Sequence, residues 1–265
     1  MWYNHFIFIE RMRYPMKNIK RVLSLLLVGI MMLGLAACGE DTAKYVIYSD
    51  NSFAPFEYLD QATNTYVGVD MDLLAAIAED QGFEYEMKNE GFDAAMGAVQ
   101  AGQADAMIAG MTINDKRKET FDFSDGYFED GSILVTAKDS TIASEADLKG
   151  KTVAAKTGTV STEYAESIKD KIGFEIVYFE GSPNMYQAVL TGNADACFED
   201  FSVIGWAIKN DNMALKTVGS VVNPNSYGFA VKKGQNAELI EKFNAGLKNI
   251  KANGKYDEIL AKYGY

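Results

Sequence analysis

The chain has little histidine, cysteine, proline or positive charge. Its single histidine is His5, near the start of the 265 residues. Lys17, Lys20 and Arg21 follow, then the apolar run Val22–Gly34. That run is too short for a bilayer span of about 20 residues, so residues 1–37 read as a signal peptide. Met16 offers an alternative start. A mature chain would have no histidine, which excludes the common Ser-His and Cys-His nucleophile arrangements. Basic residues number 25 against 37 acidic ones, a net charge of −12. Removing residues 1–37 takes away five basic residues and one acidic residue, leaving −16. Nucleic-acid binding wants a basic footprint and is not expected. Solubility is the plain use of such a charge. Only Cys38 and Cys197 are cysteines, and Cys197 lies in an apolar run that reads as core. No proline-rich or low-complexity linker divides the chain.

What the chain does contain is a phrase written twice. Gly102-Gln-Ala-Asp-Ala106 and Gly192-Asn-Ala-Asp-Ala196 start 90 residues apart. Each follows a helix-like stretch (Asp93–Ala101, Asn184–Thr191) and leads into an apolar run (Met107–Met111, Ala196–Phe198). A solenoid would repeat at about 20–50 residues, so this spacing predicts two similar lobes. Ligands of open α/β sheets bind beyond the carboxyl ends of strands. Gly110 and Asp200 each lie five residues past the repeated aspartate. Asp105 and Asp195 themselves are expected to brace the turn into each strand.

Strands and helices alternate along the chain, which predicts an α/β fold. Tyr45–Ser49 reads as a strand. Asp70–Gln81 reads as a helix with Asp70 as N-cap, Leu73, Leu74, Ile77 and Ala78 as its stripe, and Gly82 as its end. Phe83–Met87 reads as a strand, Ser161–Ile172 as a helix and Glu175–Phe179 as a strand. Leu239, Ile240, Phe243, Leu247 and Ile250 mark a long C-terminal helix. The expected division is residues 44–130 plus 226–265 in lobe 1 and 131–225 in lobe 2, after a tether at 38–43. The crossings are expected near Asp130–Val135 and Val221–Tyr227.

Several motifs stand in register: Asp50-Asn-Ser-Phe-Ala-Pro-Phe56, Gly68-Val-Asp-Met-Asp72, Gly110-Met-Thr-Ile-Asn-Asp-Lys-Arg117, Phe121-Asp-Phe-Ser-Asp-Gly-Tyr127 and Lys156-Thr-Gly-Thr-Val-Ser161. In this order and spacing they resemble the polar-amino-acid-binding proteins of ABC importers, the family-3 extracellular solute-binding proteins. The glutamine-binding branch is the most similar. The resemblance covers Lys44–Tyr265 and implies a two-lobed periplasmic-binding-protein-like (Venus flytrap) fold with two hinge crossings. It implies a non-enzymatic binding protein without cofactor or metal. Lys156-Thr-Gly-Thr lacks the full order of a phosphate loop.

The residues suit that role. An amino acid brings a carboxylate, an ammonium and a side chain. Arg117 has a planar fork for a carboxylate. Taken alone it would be a surface partner of Asp122 or Glu119. Backbone N–H groups around Thr112 and around Thr159, Val160 and Ser161 add donors, the latter at a helix start. Asp200, the Gly110 carbonyl and the Thr112 hydroxyl are acceptors for the ammonium. By resemblance, Phe53 and Phe92 sandwich the ligand stem, Arg117 and Asp200 hold the carboxylate and the ammonium, and Asp50 and Lys156 meet the side-chain end. Asp122, Ser124 and Tyr127 are expected to shape the loop near the hinge. Glu199 departs from the glutamine-binding branch, which carries histidine there, and Val160 replaces a glycine. A buried unpaired carboxylate is costly, so Lys156 is expected to pair with Asp50 or Glu199. Glutamine or a similar neutral polar amino acid is favoured. A cationic one such as arginine or lysine is the alternative.

Leu35-Ala36-Ala37-Cys38 resembles the lipobox of bacterial lipoproteins, which implies cleavage before Cys38 and a lipid on its sulfur. No intrachain disulfide is then expected. The implied protein is a monomer on the outer face of the bacterial cell membrane, partnered by an ABC permease and its ATPase. A cyclohexadienyl dehydratase-like enzyme and a sensory binding module on the same fold are lesser alternatives.

Overall fold

The computed structural model describes residues 44–265; the expected signal peptide, Cys38 and the tether lie outside the described residues. The first lobe opens with β1 (Tyr45–Asp50), the three-stranded antiparallel β2 (Ser52–Phe53), β3 (Glu57–Asp60) and β4 (Thr65–Val67), and α1 (Val69–Gln81). It continues with β5 (Tyr85–Glu90), α2 (Phe92–Ala101), β6 (Ala106–Met107), the one-turn α3 (Asp115–Lys118) and β7 (Phe121–Phe123). β1 is hydrogen-bonded in parallel to β5 on one side and β6 on the other, in a sheet ordered β5-β1-β6-β13-β7. Its Ile47 is fully buried, as a strand covered on both faces requires.

Helix α1 begins differently from the sequence expectation. Its N-cap is Gly68, with φ 143°. A Cβ there would lie 1.9 Å from the Phe56 carbonyl oxygen, so only glycine can start the helix. Asp70 is inside the first turn and fully buried. Its Oδ2 accepts from the Gly110 N–H at 2.8 Å and the Tyr127 hydroxyl at 2.7 Å. Two strong donors draw the side chain into the core instead of back over the helix end. Gly82 ends the helix in the left-handed conformation, as expected.

The second lobe holds β8 (Phe128–Ala137), β9 (Thr152–Lys156), α4 (Val160–Ile172), β10 (Glu175–Phe179), α5 (Ser182–Leu190), β11 (Ala196–Asp200), α6 (Phe201–Asn210) and β12 (Leu215–Tyr227). Its sheet runs β10-β9-β11-β8-β12. β9 is parallel to β10 and β11, while β8 is antiparallel to β11 and β12. Ile133 and Val135 of β8 enter one core with Met185, Cys197 and Ile204; Leu134 enters the other with Val153, Ala165 and Phe198. This is the period-two alternation of a strand between two cores. Cys197 is a buried free thiol, pushed well up by burial.

The repeated phrase does the same work in both lobes. Gly102 and Gly192 turn the chain at φ 73° and 75° after α2 and α5. Asp105 donates its N–H to the Val46 carbonyl at 2.8 Å, and its Oδ2 accepts from the Val46 N–H at 2.8 Å. Asp195 treats Thr152 alike, at 2.8 and 2.9 Å. Each aspartate thus clamps the start of the neighbouring parallel strand.

β8 and β12 pair from Ala137–Leu215 down to Phe128–Tyr227, with register shifts around Val222. Phe128 and Tyr227 pack with Phe56 in the first lobe, while Ile133, Val135 and Leu215 pack in the second. The two strands are therefore the crossings between lobes. The chain then returns through β13 (Ala230–Lys232), between β6 and β7, to α7 (Ala237–Ala252) and α8 (Lys255–Lys262). Leu239, Phe243, Leu247 and Ile250 of α7 meet Leu73, Leu74 and Ile77 of α1. Among the described residues, no helix is long and apolar enough to cross a membrane.

Candidate ligand-binding cleft

The carboxyl ends of β1 and β6 face those of β9 and β11 across a cleft. A small pocket lies there, lined from both lobes. Phe53, Phe92, Ala109, Gly110, Thr112 and Arg117 line it from the first lobe, and Lys156, Thr159, Val160, Glu199 and Asp200 from the second. Asp50 and Ser161 stand one layer behind, bonded to Lys156 and Asp200.

Arg117 reaches the cavity because α3 is capped locally. The Asn114 side chain accepts the Arg117 N–H at 2.8 Å. Lys116 and Lys118 on either side are exposed, but Arg117 is only 8 % exposed. Its guanidinium donates to two carbonyls, Thr112 at 2.8 Å and Gly158 at 3.0 Å, the second across the cleft. It also stands over the Phe92 ring, 5.4 Å from the centroid. Neither Asp122 nor Glu119 pairs with it; Asp122 is taken by Lys233 at 2.7 Å. Burial pushes the guanidinium down to about 10. Carbonyl dipoles satisfy its donors without neutralising the charge.

Asp200 is the opposite case. It is the last residue of β11, and among the described residues its carboxylate accepts from two neutral hydroxyls, Ser161 at 2.9 Å and Tyr227. Ser161 in turn lies 2.6 Å from the Ser132 hydroxyl. Burial raises the Asp200 carboxyl, while these hydroxyls and the charges of Lys156 and Arg117 hold it down. The helix start at Thr159 and Val160 borders the pocket, with the Thr159 hydroxyl capping the Thr162 N–H at 3.2 Å.

At the far end Lys156 forms an ion pair with Asp50 across the cleft, both at most 2 % exposed. Its ammonium sits 4.5 Å from the Phe53 ring centroid and 5.8 Å from that of Phe92. Burial opposes its charge, but Asp50 and then Glu199 outweigh burial, so the ammonium lies above its ordinary value. Glu199 accepts from the Tyr186 hydroxyl at 2.7 Å and from the Asp200 N–H at 2.9 Å. Burial, and then the Asp200 charge, push its carboxyl up to about 7. Of the two pairings open to Lys156, the structure makes the one with Asp50.

The profile of the bacterial extracellular solute-binding proteins, family 3, matches residues 45–265. The chain belongs to this family. A relative named "Probable histidine-binding protein" of Neisseria gonorrhoeae is 34% identical over 87% of this chain and 91% of its own. Substrate-binding domain 2 of Lactococcus lactis GlnP, solved in an open conformation, is 43% identical, covers 84% of this chain and 96% of its own, and has a TM-score of 0.59. An ancestral arginine-binding protein was solved bound to arginine and bound to glutamine. Both forms are 36% identical to this chain, with TM-scores of 0.78 and 0.77. They cover 84% and 83% of this chain and 98% and 97% of theirs. These relatives are binding proteins by name.

In this family-3 chain three cleft residues carry no chemical signal in the sequence. Ala109 lines the cavity through its position before Gly110. Tyr186 belongs to the apolar stripe of α5 with Met185 and Val189, and a stripe of that kind reads as core. Tyr227 reads only as the end of a crossing strand. Helical phase and strand register bring the two phenols to Glu199 and Asp200; a tyrosine standing among the apolar residues of an element is the one available hint.

Proposed function

We propose that the chain is the substrate-binding lipoprotein of an ABC importer and captures a free polar amino acid, with glutamine or a similar neutral side chain preferred. One observation carries this reading. Arg117 and Asp200 are buried charges of opposite sign on opposite lobes, and among the described residues neither is within salt-bridge distance of an opposite charge. A buried charge without a counter-charge is expensive, and a zwitterion supplies both counter-charges at once. The ligand carboxylate meets Arg117 and the first N–H groups of α4, and the ligand ammonium meets Asp200, Thr112 and the Gly110 carbonyl. A ligand holding both lobes stabilises the closed cleft. The better fit to relatives solved with bound amino acids than to the more identical open GlnP domain supports a closed arrangement here.

The preference for a neutral side chain rests on Lys156. Paired with Asp50, it leaves that end of the cleft with no net charge from the pair, so a ligand cation placed there gains no counter-charge from it. Glu199 supports a second reading. When ionised it offers a carboxylate to a cationic side chain, and the ancestral relative was solved with both arginine and glutamine. Lipid on Cys38 would tether the protein outside the membrane, in keeping with an extracellular family, and the closed form would deliver its ligand to the permease.

Isothermal titration with a panel of amino acids tests the site. Arg117→Ala is expected to weaken the preferred amino acid on the order of a hundredfold, the equivalent of about 3 kcal/mol from two charge-assisted hydrogen bonds. Near wild-type affinity in that variant would sink the proposed site.

A further inference from the structure

The buried Tyr227 hydroxyl faces two carboxylates. It hydrogen-bonds to Asp200 Oδ2 and lies 3.0 Å from Asp130 Oδ2. A phenol has one hydrogen and can make one full hydrogen bond as donor, to a single carboxylate. The other must bring a proton of its own or set a bare anion against the phenol oxygen. The surroundings decide which carboxylate holds that proton. Asp200 faces Arg117 from α3 and Lys156 from β9, with Glu199 beside it. Asp130 faces Asp200 from β11, Tyr227 from β12 and Tyr265 at the C-terminus, with no cation among them. Its remaining partners are neutral: the Gly131 N–H at 2.8 Å, the Ser202 N–H at 3.3 Å and the Ser202 hydroxyl.

Resting on the amino-acid-binding reading above, we propose that Asp130 is a positioning residue that takes up a proton when the cleft closes and, through Tyr227, commits a hydrogen bond to Asp200. In the closed form the Asp130 carboxyl donates to the phenol oxygen. The phenol donates to the Asp200 carboxylate, and Asp200 receives the ligand ammonium. The proton comes from solvent and ends on Asp130 Oδ2, with no redox change. Tyr227 packs in the first lobe with Phe53 and Phe56. Asp200 ends β11 of the second lobe, and Asp130, on the crossing strand β8, is tied to that lobe through Ser202 at the start of α6. Opening withdraws the phenol and admits water, so both carboxyls return toward ordinary values.

The sign follows. Burial, and then the Asp200 charge, raise Asp130 to about 6 in the closed form. Closure is therefore favoured below that pH, and the contribution is lost as pH rises through it. Wild-type affinity is expected to weaken by about three- to fivefold from pH 5.5 to 7.5 beyond any change shared with Asp130→Asn. In that variant the amide donates to the phenol at every pH, so binding should be as tight as the wild type at low pH and lack the Asp130 slope. Asp130→Ala should bind more weakly at all pH values. Titrations in buffers of differing ionisation enthalpy should show proton uptake near pH 6 that Asp130→Asn loses. Equal slopes and equal proton uptake in wild type and Asp130→Asn would overturn the proposal. So would Asp130→Asn binding as weakly as Asp130→Ala. Arg117→Ala in the same assay separates the two ideas. If it binds normally, the site reading fails; if it loses binding while Asp130→Asn keeps the wild-type slope, only the relay fails.

Discussion

Glu199 changes charge near neutral pH, because burial and the Asp200 charge raise its carboxyl to about 7. A carboxyl raised on folding stabilises the fold fully below its unfolded value near 4.5 and ceases to do so as pH rises through about 7. Glu199→Gln removes that dependence and keeps an acceptor for the Asp200 N–H or the Tyr186 hydroxyl. Its melting temperature should therefore fall less than that of the wild type between pH 5 and 8. A calorimetric pH series checks this, and parallel curves would contradict it. The same residue was visible in the sequence as a departure from the glutamine-binding branch. Its partner Tyr186 was not, because a tyrosine in a helical stripe looks like core until the helix is docked.

Among the elements, the clamp formed by each repeated aspartate is the most testable. Asp105→Ala and Asp195→Ala each lose a carboxylate that accepts from the first residues of the neighbouring strand. Each should cost about 1–2 kcal/mol of stability, somewhat below the ordinary worth of a charge-assisted bond because both sites are partly solvated. Urea unfolding measures that loss, and ligand affinity should stay within about twofold because neither residue reaches the cavity. Unaltered stability in both variants would show that the clamps are redundant. Element positions followed from the sequence wherever apolar periodicity was strong, as in α1, α4, β10 and α7. The start of α1 did not. Asp70 looks like a cap, but its carboxylate is claimed by Gly110 and Tyr127, which come from 40 and 57 residues away.

At the scale of the whole molecule, binding is linked to folding. A ligand that binds only the native protein stabilises it by about 2.7 kcal/mol at a hundred times its Kd. For a protein of this size that corresponds to a rise of about 5–10 °C in melting temperature. A thermal-shift series over the twenty amino acids should show that rise for the preferred ligand, and a flat series would count against amino-acid capture. Ligand should also reduce the radius of gyration in solution scattering, since closure brings Asp50 to Lys156 and Gly158 to Arg117.

The sequence alone was enough to establish two α/β lobes and to pick out the charged residues of the cleft. Apolar periodicity, a five-residue phrase repeated 90 residues on, and motifs held in register are properties of the chain itself. Only the tertiary structure decided how those charges are compensated. Lys156 pairs with Asp50 rather than Glu199, Arg117 and Asp200 form no salt bridge among the described residues, and Tyr227 stands between Asp130 and Asp200. Each of these facts depends on groups from distant segments meeting in low dielectric. There a distance of one hydrogen bond determines which charge is balanced, and spacing along the chain does not encode that distance.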